Sequence, residues 1–378
     1  MSLPMDASSD SHATLVNRIA FSLLRGINCA IAAELLARVG SEDTFFATPR
    51  RTLAALMGFD SKLFDDTMRS DALERARREA DFVASSGIRA VYFTDADYPV
   101  RLSHCDDAPL MIYTLGRADL NGGHFISIVG TRHATPYGID FVNRTVAELA
   151  ECVAAPVTVV SGLAFGIDVS AHKAALKEGV PTAAVLAHGL NMIYPAQHRS
   201  VAAEIVGAGG ALITEYPSGT AIHKGNFLAR NRIIAGLCDC VLLAESAAKG
   251  GALVTANLAS EYSRDVFALP GRTSDMYSAG CNRLIASCVA GLVTSASDII
   301  TAMGWEEKPD KPVQGVLFED LTPHEQAVVD YLTAHGEARL PQFQANIPLS
   351  VGRIMAMLID LEFRHVILSY PGGIYRLA

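Results

Sequence analysis

The chain has 378 residues, half of them hydrophobic, and a formal net charge of −9 at pH 7. This length suffices for two or three domains with a large core. The net charge argues against a generally basic nucleic-acid coat. It still allows a focused positive site, because affinity for phosphate depends on the charges nearby.

Three features of the chain bear on its compartment. The sequence has no unbroken apolar run of about 18 residues, so no membrane-spanning helix is expected. Residues 1–10 are polar and acidic and lack an apolar signal core, which argues against secretion. Seven cysteines occur without a CxxC pair, which predicts buried free thiols and a cytoplasmic protein.

Residues 11–86 are predicted to form a small helical domain. A helical face around Ile19 is separated by Gly26-Ile27-Asn28 from a short amphipathic helix over Ile31–Val39. The layout is SAM-like or helix-hairpin-helix-like. A hairpin that binds DNA normally has a second glycine where Asn28 stands. A packing role is therefore favoured, with DNA contact as the alternative.

Residues 88–304 alternate between strand-like and helix-like patterns, which predicts an α/β core with a mostly parallel sheet covered on both faces. The predicted helices include Ile139–Cys152 and Val169–Lys177. The predicted strands are Ala90–Phe93, Phe125–Val129, Val157–Val160, Thr182–Leu186, Ala211–Ile213, Cys240–Ala244 and Asp265–Leu269. A polar linker over residues 305–315, centred on Pro309–Pro312, follows this core.

Residues 316–378 are predicted to form a winged helix. Thr322, Pro323 and Glu325 form a helix start with an N-cap and capping box. Further helices are predicted over Ala338–Gln344 and Leu349–Phe363, and a hairpin over Val366–Tyr370 and Ile374–Leu377. From Val313 onward, four arginines face seven carboxylates, a net charge of −3. Protein contact or packing is therefore favoured over duplex binding through the third helix, which stays the alternative.

Three glycine turns each follow an apolar, strand-like run directly. Such a turn aims backbone N–H groups and the positive end of the next helix dipole at one point. Several turns of this kind at one sheet edge make a phosphate-binding crevice. The residues of these turns predicted to bind an anion are Gly130, Arg132, Ser161, Gly162, Gly250 and Gly251.

A second group of candidates lies at the start of an apolar helix. Arg230 and Arg232 flank Asn231, and guanidinium forks suit phosphate oxygens, while Phe227 could stack on a base. The alternative is that the two arginines form structural ion pairs, for example with Glu215 or Glu245, or that one is structural and the other functional. Arg199, in the loop after the strand ending at Leu186, could reach the same crevice.

Several common active sites have no counterpart in the sequence. There is no HExxH motif and no zinc-like His/Cys spacing, so no metal is expected. Neither a G-x-S-x-G elbow, a G-x-x-x-x-G-K-[ST] loop nor a fitting G-x-G-x-x-G fingerprint occurs, which argues against a hydrolase triad, an ATPase and a dinucleotide cofactor. His172 is interpreted as a hydrogen-bonded packing residue and Asp168 as a helix cap.

Seven segments together resemble the DNA-processing protein A family, also called Smf, and they occur in the family's order. They are IVGTRHATPYG (128–138), VVSGLAFGIDVSAH (159–172), VLAHGLNMIYP (185–195), ITEYPSG (213–219), FLARNRIIAGL (227–237), GGALVTA (250–256) and RDVFALPG (264–271). The order of a helical module, a Rossmann-like core and a winged helix also fits this family.

The resemblance implies an extended Rossmann-like core and a single-stranded DNA-binding protein that is not an enzyme. Such a protein protects incoming DNA and loads RecA during natural transformation and recombination, as a homodimer formed through the core. The resemblance further implies that Arg132 and Arg199 contact the DNA. Arg199 directly follows His198, where the family usually has Asn.

Two other functions compete with DNA binding. Nucleotide phosphoribohydrolases share a related core with a PGG-x-GT-x-x-E loop, which the turn at Gly250-Gly251 superficially matches. No carboxylate stands where that family's Glu should lie, because the run from Ala252 to Asn257 contains none. The third possibility is a protein-interaction scaffold whose crevice is vestigial.

Overall fold

The computed structural model describes residues 7–308, 321–364, 366–370 and 372–377. The chain divides into two compact units, Met1–Lys308 and Pro309–Ala378. The first unit contains both the helical segment and the large sheet, so the division of that unit into two domains stays a prediction. Most of the predicted linker, from residue 309 on, lies outside the described residues.

The helical segment packs around an aromatic cluster. Phe21 and Phe45 are fully buried and meet edge to face, with ring centroids 5.1 Å apart. The side chain of Asn28 accepts a hydrogen bond from the Ile31 amide at 2.8 Å and so caps the second helix. The helices are α1 (Ala7–Ser22), α2 (Cys29–Val39), α3 (Glu42–Ala47), α4 (Arg50–Met57), a 3₁₀ turn (Lys62–Phe64) and α5 (Asp66–Ser85).

Across the described part of the first unit, residues 7–308, the sheet has nine strands in the order β1-β2-β6-β5-β4-β3-β7-β8-β9. The strands from β6 to β9 in that order are parallel, which confirms the α/β prediction. Two strands, β2 and β9, were not predicted. Strand β2 pairs antiparallel with both β1 and β6. The strands are β1 (Arg89–Tyr92), β2 (Met111–Gly116), β3 (His124–Gly130), β4 (Val157–Ser161), β5 (Thr182–Val185), β6 (Ala211–Thr214), β7 (Cys240–Glu245), β8 (Asp265–Ala268) and β9 (Gly291–Leu292).

Helices cover both faces of this sheet. Along β3, Phe125 and Val129 pack into one buried cluster while Ile126 and Ile128 pack into another, as alternation along a strand requires. Among the described helices, none combines the length and apolarity needed to cross a membrane. The helices are α6 (Val100–Ser103), α7 (Pro136–Cys152), α8 (Ile167–Lys177), a 3₁₀ turn (Ala196–His198), α9 (Arg199–Gly207), α10 (Lys224–Gly236), α11 (Gly251–Glu261), α12 (Ala279–Ala286) and α13 (Ala296–Met303).

All seven cysteines are free thiols, but they are not all buried as predicted. Cys288 is exposed, and two more are half-buried. The remaining four lie in the core, and burial raises the pKa of the Cys238 and Cys281 thiols to about 12. These buried thiols therefore behave as small apolar side chains.

The described residues of the second unit form three helices and a three-stranded antiparallel sheet, the elements that the winged-helix prediction requires. Its elements are α14 (Pro323–His335), β10 (Ala338–Arg339), α15 (Leu340–Asn346), α16 (Val351–Phe363), β11 (Ile367–Tyr370) and β12 (Ile374–Leu377), with the strands in the order β10-β12-β11.

The predicted helix start in this unit is confirmed. Thr322 accepts from the Glu325 amide at 3.4 Å, and the Glu325 carboxylate accepts from the Thr322 amide at 2.6 Å, which completes the capping box. The predicted helix over Ala338–Gln344 is wrong at its start. Ala338 and Arg339 form a short strand that pairs with β12, and the helix begins at Leu340.

His172 has the packing role predicted for it. The Thr182 hydroxyl donates to the Val159 carbonyl, so Nδ1 of His172 must donate to that hydroxyl, at 2.7 Å. Its Nε2 is buried without a hydrogen-bond partner among the described residues. Protonation would place a charge and an unsatisfied donor there, and burial lowers the pKa of His172 to about 3.

We expect this buried imidazole to make stability fall in mild acid. Its contribution is complete above the unfolded pKa near 6.5 and is lost as the pH falls toward 3, at up to about 1.4 kcal/mol per pH unit. Urea denaturation at pH 7, 6 and 5 should therefore show a smaller loss in His172→Gln, which keeps an N–H donor. The exposed His104→Gln is the control, and equal slopes in all three proteins would contradict the assignment.

Candidate functional site

The strand order places a crevice between β3 and β7. From β3 the chain moves to β4 and β5 on one side, and from β7 it moves to β8 and β9 on the other. Such a switch point leaves the loops after two neighbouring strands apart and opens a crevice at their carboxyl ends. The loops that surround it are residues 131–135 and 246–250, with residues 162–166 after β4 beside them.

Three of these loops are joined through their backbones. The Thr131 amide donates to the Glu245 carbonyl at 2.7 Å, and the Ile167 amide donates to the Thr131 carbonyl at 3.1 Å. A Cβ on Gly130 would lie 2.5 Å from Cγ1 of Ile167, and one on Gly166 would lie 2.2 Å from the Thr131 oxygen. The glycines are therefore required for the loops to approach this closely.

The buried carboxylate of Glu245 fixes the start of α7. It accepts hydrogen bonds from the amide and the hydroxyl of Thr135, at 2.8 and 2.5 Å. Thr135 in turn caps α7, and a Cβ on Gly138 would lie 2.4 Å from the same carboxylate. Glu245 thus holds a helix end and does not pair with Arg230 or Arg232.

Arg132 is exposed above an aromatic pair. Its guanidinium carbon lies 5.7 Å from the centroid of the Phe227 ring, within cation–π range, and the Phe227 ring lies 5.8 Å from that of Tyr194. Tyr194 is 45% exposed, and its amide donates to Nε2 of buried His188 at 3.2 Å. Within the described residues Arg132 forms no ion pair, so its charge faces solvent.

Arg199 begins α9 and is also exposed and without an ion pair in the described part of the chain. It directly follows His198, whose Nδ1 donates to the Leu163 carbonyl at 2.8 Å. The His198 ring also meets Phe165 edge to face at 4.7 Å. These contacts attach the Arg199 loop to the loop after β4. An asparagine amide could donate the same hydrogen bond to Leu163.

Arg230 lies below the crevice and is only 3% exposed. A Cβ on Gly162 would lie 1.8 Å from its Nη1 and 2.6 Å from Oδ2 of Asp168, so Gly162 leaves room for this buried pair of charges. Burial lowers the pKa of Arg230 to about 10, although Asp168 opposes the shift, and burial raises the pKa of Asp168. Two buried guanidinium nitrogens of Arg230 have no partner among the described residues, so its charge is incompletely compensated.

Arg232 forms the structural ion pair that was the alternative to a functional role. Its partner is Glu215, with Asp107 3.9 Å away. Asn231 is also engaged, since its amide donates to the Gly251 carbonyl at 3.3 Å and joins α10 to α11. Neither residue matches Arg132 or Arg199 as an unpaired surface group.

The remaining predicted residues divide between interior and surface. Ser161 is fully buried and its hydroxyl donates to the Ile128 carbonyl at 2.6 Å. A Cβ on Gly250 would lie 2.4 Å from Oγ of Ser246, whereas one on Gly251 would meet nothing within 4 Å. Asp168 lies in the first turn of α8 but does not cap it, because the cap position is Gly166.

Some exposed residues at this edge were not predicted as site residues. They are two aromatic residues, Tyr194 and Phe165, each 45% exposed, and two cations, Lys224 and Lys249. An aromatic residue inside a glycine-rich loop, as in Gly162–Gly166, was the signal that could have identified Phe165. Within the described residues, no cluster of three or more His, Cys, Asp or Glu could hold a metal ion.

Helix α5 clamps a further loop at this edge. The buried carboxylate of Glu79 accepts from the Ser218 amide at 2.8 and 2.9 Å and from its hydroxyl at 2.5 Å. Arg75 donates to the Ser218 carbonyl at 2.7 Å. Ser218 lies in the loop that leads into α10 and hence to Phe227, so the helical segment helps to position the aromatic surface.

Comparison with known proteins identifies a family for this site. Residues 89–304 match the model of the family described as DNA recombination-mediator protein A. The protein Smf of Synechocystis sp. is 40% identical over 317 residues, covering 75% of this chain and 78% of that protein. The protein Smf of Escherichia coli is 35% identical over 286 residues, covering 74% and 75%.

Two solved structures are similar to this chain. The X-ray structure of DNA processing protein A from Streptococcus pneumoniae aligns with a TM-score of 0.63 and 30% identity, covering 76% of this chain and 96% of that one. The DNA processing protein A of Helicobacter pylori, studied for its single-stranded DNA binding mode, aligns with a TM-score of 0.50 and 29% identity, covering 57% and 95%.

The space around Gly162 yields a stability prediction with an internal control. Gly162→Ala should lower the free energy of unfolding by about 1–3 kcal/mol, because the added methyl group must displace buried Arg230. Gly251→Ala, the same change in open space, should be neutral or stabilise by up to about 1 kcal/mol. Urea denaturation of both variants measures the difference, and equal midpoints would refute the packing argument.

The Glu79 clamp predicts a local change in mobility. In Glu79→Ala, amide hydrogen exchange around Ser218 should accelerate by at least about tenfold, because the half-buried Ser218 amide loses its charged acceptor. Glu74→Ala is the control, since Glu74 lies on the same helix but is exposed. Unchanged exchange at Ser218 would show that the clamp does not hold the loop.

Proposed function

The chain belongs to the family of DNA recombination-mediator protein A, and we propose that it binds single-stranded DNA at the crevice between β3 and β7. The observation that carries this proposal is the unpaired, exposed guanidinium of Arg132 above the ring of Phe227, with Tyr194 beside it. A cation beside an exposed tyrosine ring and a half-buried phenylalanine ring offers a phosphate contact and a surface for base stacking.

The chemistry of the site favours a single strand over a duplex. Stacking on Phe227 or Tyr194 requires a base that is free of its partner, which a single strand supplies without the cost of unpairing. Arg132 and Arg199 would neutralise phosphates, and the incompletely compensated charge of Arg230 adds positive potential from below. The relative from Helicobacter pylori, studied for its single-stranded DNA binding mode, supports the same ligand.

In this proposal the eleven predicted residues have different roles. Direct contact falls to the exposed residues Arg132 and Arg199 and to half-buried Phe227, with Gly251 at the start of α11. The others shape the crevice from within, by packing or by internal bonds. They are Gly130, Ser161, Gly162, Arg230, Asn231, Arg232 and Gly250.

We further propose that the bound strand is protected and passed to RecA, and that two chains associate through the sheet core. Both steps rest on membership of the family and on the resemblance of the motifs. We propose that strand binding and transfer take place in the cytoplasm and that the chain is organised as the three predicted domains. A RecA nucleation assay on strands covered by a single-strand-binding protein tests the transfer, which should decrease when Arg132→Ala weakens strand binding.

The proposal assigns binding without catalysis. A phosphoribohydrolase would need a carboxylate near the turn at Gly250-Gly251, but α11 carries none before Glu261, at its far end about 15 Å along the helix. Glu245 lies closer, yet its carboxylate is occupied by Thr135. Release of free base from AMP by the purified protein would favour the enzyme.

Strand binding should depend on the two unpaired arginines. Arg132→Ala and Arg199→Ala should each weaken binding of a labelled dT oligomer by about tenfold at low salt, because each removes a phosphate contact. Each should also reduce the slope of log K against log salt by about 0.7. Fluorescence anisotropy across a salt series measures both quantities.

Arg144→Ala provides the matched control for these variants. Arg144 is also exposed, but it lies about 12 Å along α7 from the end that faces the crevice. Its loss should leave affinity and salt slope unchanged. Equal weakening in all three variants would indicate a diffuse electrostatic effect, and no weakening in Arg132→Ala and Arg199→Ala would remove the site assignment.

A further inference from the structure

Helix α16 of the second unit exposes an apolar stripe. Four large side chains recur at every fourth position and so lie on one face. They are Val351, Met355, Ile359 and Phe363, which are 44%, 47%, 58% and 87% exposed. Between them stand the small residues Gly352 and Ala356, which are also exposed and let another helix approach closely. The opposite face, with Ile354, Leu358 and Leu361, is buried in the unit's own core.

The helix carries a positive charge near the beginning of this stripe and a negative charge near its end. Arg353 lies near its beginning and Asp360 lies seven residues later on the same flank, since seven residues are nearly two full turns. Both are exposed, and Asp360 has Arg364, the residue directly after the helix, as a neighbour 3.3 Å away. A stripe flanked in this way is complementary to an antiparallel copy of itself.

We propose that the α16 stripe is a contact between two copies of this chain, with the two helices antiparallel about a two-fold axis near Ala356. In that arrangement Arg353 of each copy faces Asp360 of the other, which gives two equivalent ion pairs. The apolar side chains of one stripe pack on those of the other. An isologous contact of this kind is self-complementary, as a two-fold interface requires.

The same face is poorly suited to duplex DNA. The third helix of a winged helix normally enters the major groove and reads bases with polar and basic side chains. Here the exposed face is occupied by Met355, Ile359 and Phe363, which offer no hydrogen bond to a base or a phosphate. An apolar partner surface is therefore the better match.

The size of the contact determines how it acts. A helix of 13 residues is about 20 Å long, and one such pair falls short of the roughly 800 Å² per partner of a standard interface. The contact should therefore be weak on its own. Where two chains are already associated through another surface, the two stripes are at a high effective concentration, and their contact should strengthen that association. The proposal goes beyond strand binding and does not require it.

Disulfide trapping in the full-length chain tests the proposal. Ala356→Cys is introduced together with Cys288→Ser, which removes the exposed native thiol. Closely packed helices bring facing Cα atoms near the axis within disulfide range, so mild oxidation should give a covalent dimer on a non-reducing gel. Leu56→Cys in the same background is the control, because Leu56 is an exposed apolar residue of a different helix.

Further substitutions in the chain that carries Ala356→Cys test the apolar stripe and the ion pairs separately. Met355→Glu should lower the dimer yield by at least about tenfold, because it would bury an unpaired carboxylate. Leu56→Glu, at a site of similar exposure (48% against 47%), should not change it. Arg353→Asp should lower the yield through like charges, and adding Asp360→Arg should restore it.

The outcomes separate the proposal from its rivals. Two results together would establish the antiparallel pair. The covalent dimer should be lost in Met355→Glu, and the dimer lost in Arg353→Asp should return when Asp360→Arg is added. The proposal would be overturned if Ala356→Cys gave no more covalent dimer than Leu56→Cys. It would also be overturned if Met355→Glu left the dimer yield unchanged. Single-strand affinity should stay at the wild-type value in every variant, which keeps this result independent of the proposed DNA site.

Discussion

The architecture of the site depends on the close contact between the ends of β3 and β7. At this switch point the Thr131 amide donates to the Glu245 carbonyl, and the side chain of the same glutamate holds Thr135. One residue thus fixes both the loop after β3 and the helix that follows it. The loop that carries Arg132 has little freedom as a result, and the guanidinium can be presented over Phe227 without an acidic partner.

Burial divides the arginines of the site into two classes with different physical effects. Arg230 has lost most of its hydration, and burial works against its charge while Asp168 supports it. Such a residue can fix loop positions and contribute potential, but it cannot reach a ligand. The side chain of Arg132 is exposed and keeps its hydration. A phosphate can therefore bind it at the cost of displacing water alone, with no internal ion pair to break.

Sequence patterns were sufficient to propose the glycine turns and Arg132 as site residues, because their signals are local. A glycine after an apolar run and an arginine in the turn can be read without knowing what lies nearby. The roles of Arg230 and Arg232 could not be read in this way, because burial under Gly162 and pairing with Glu215 arise only when distant segments meet. Both arginines follow the motif, yet tertiary contacts make them internal.

The errors in the predicted elements have the same origin. Strand β2 is defined by antiparallel pairing with β6, about a hundred residues later in the chain, and periodicity carries no information about such a partner. The strand at Ala338 exists because β12 lies beside it, although the local sequence favours a helix. Local propensity therefore predicted the helices of the second unit better than its shortest strand.

The acidic balance of the chain has a consequence for how a focused site can work. A net charge of −9 repels polyanions in general, but at physiological salt this repulsion is screened beyond about 8 Å. Within that range, unpaired cations such as Arg132 and Arg199 can still attract a phosphate. Under the proposed function, non-specific coating of the protein by nucleic acid would then be suppressed away from the crevice. A negative net charge with a focused positive site would thus restrict where a strand can bind, which a uniformly basic protein could not do.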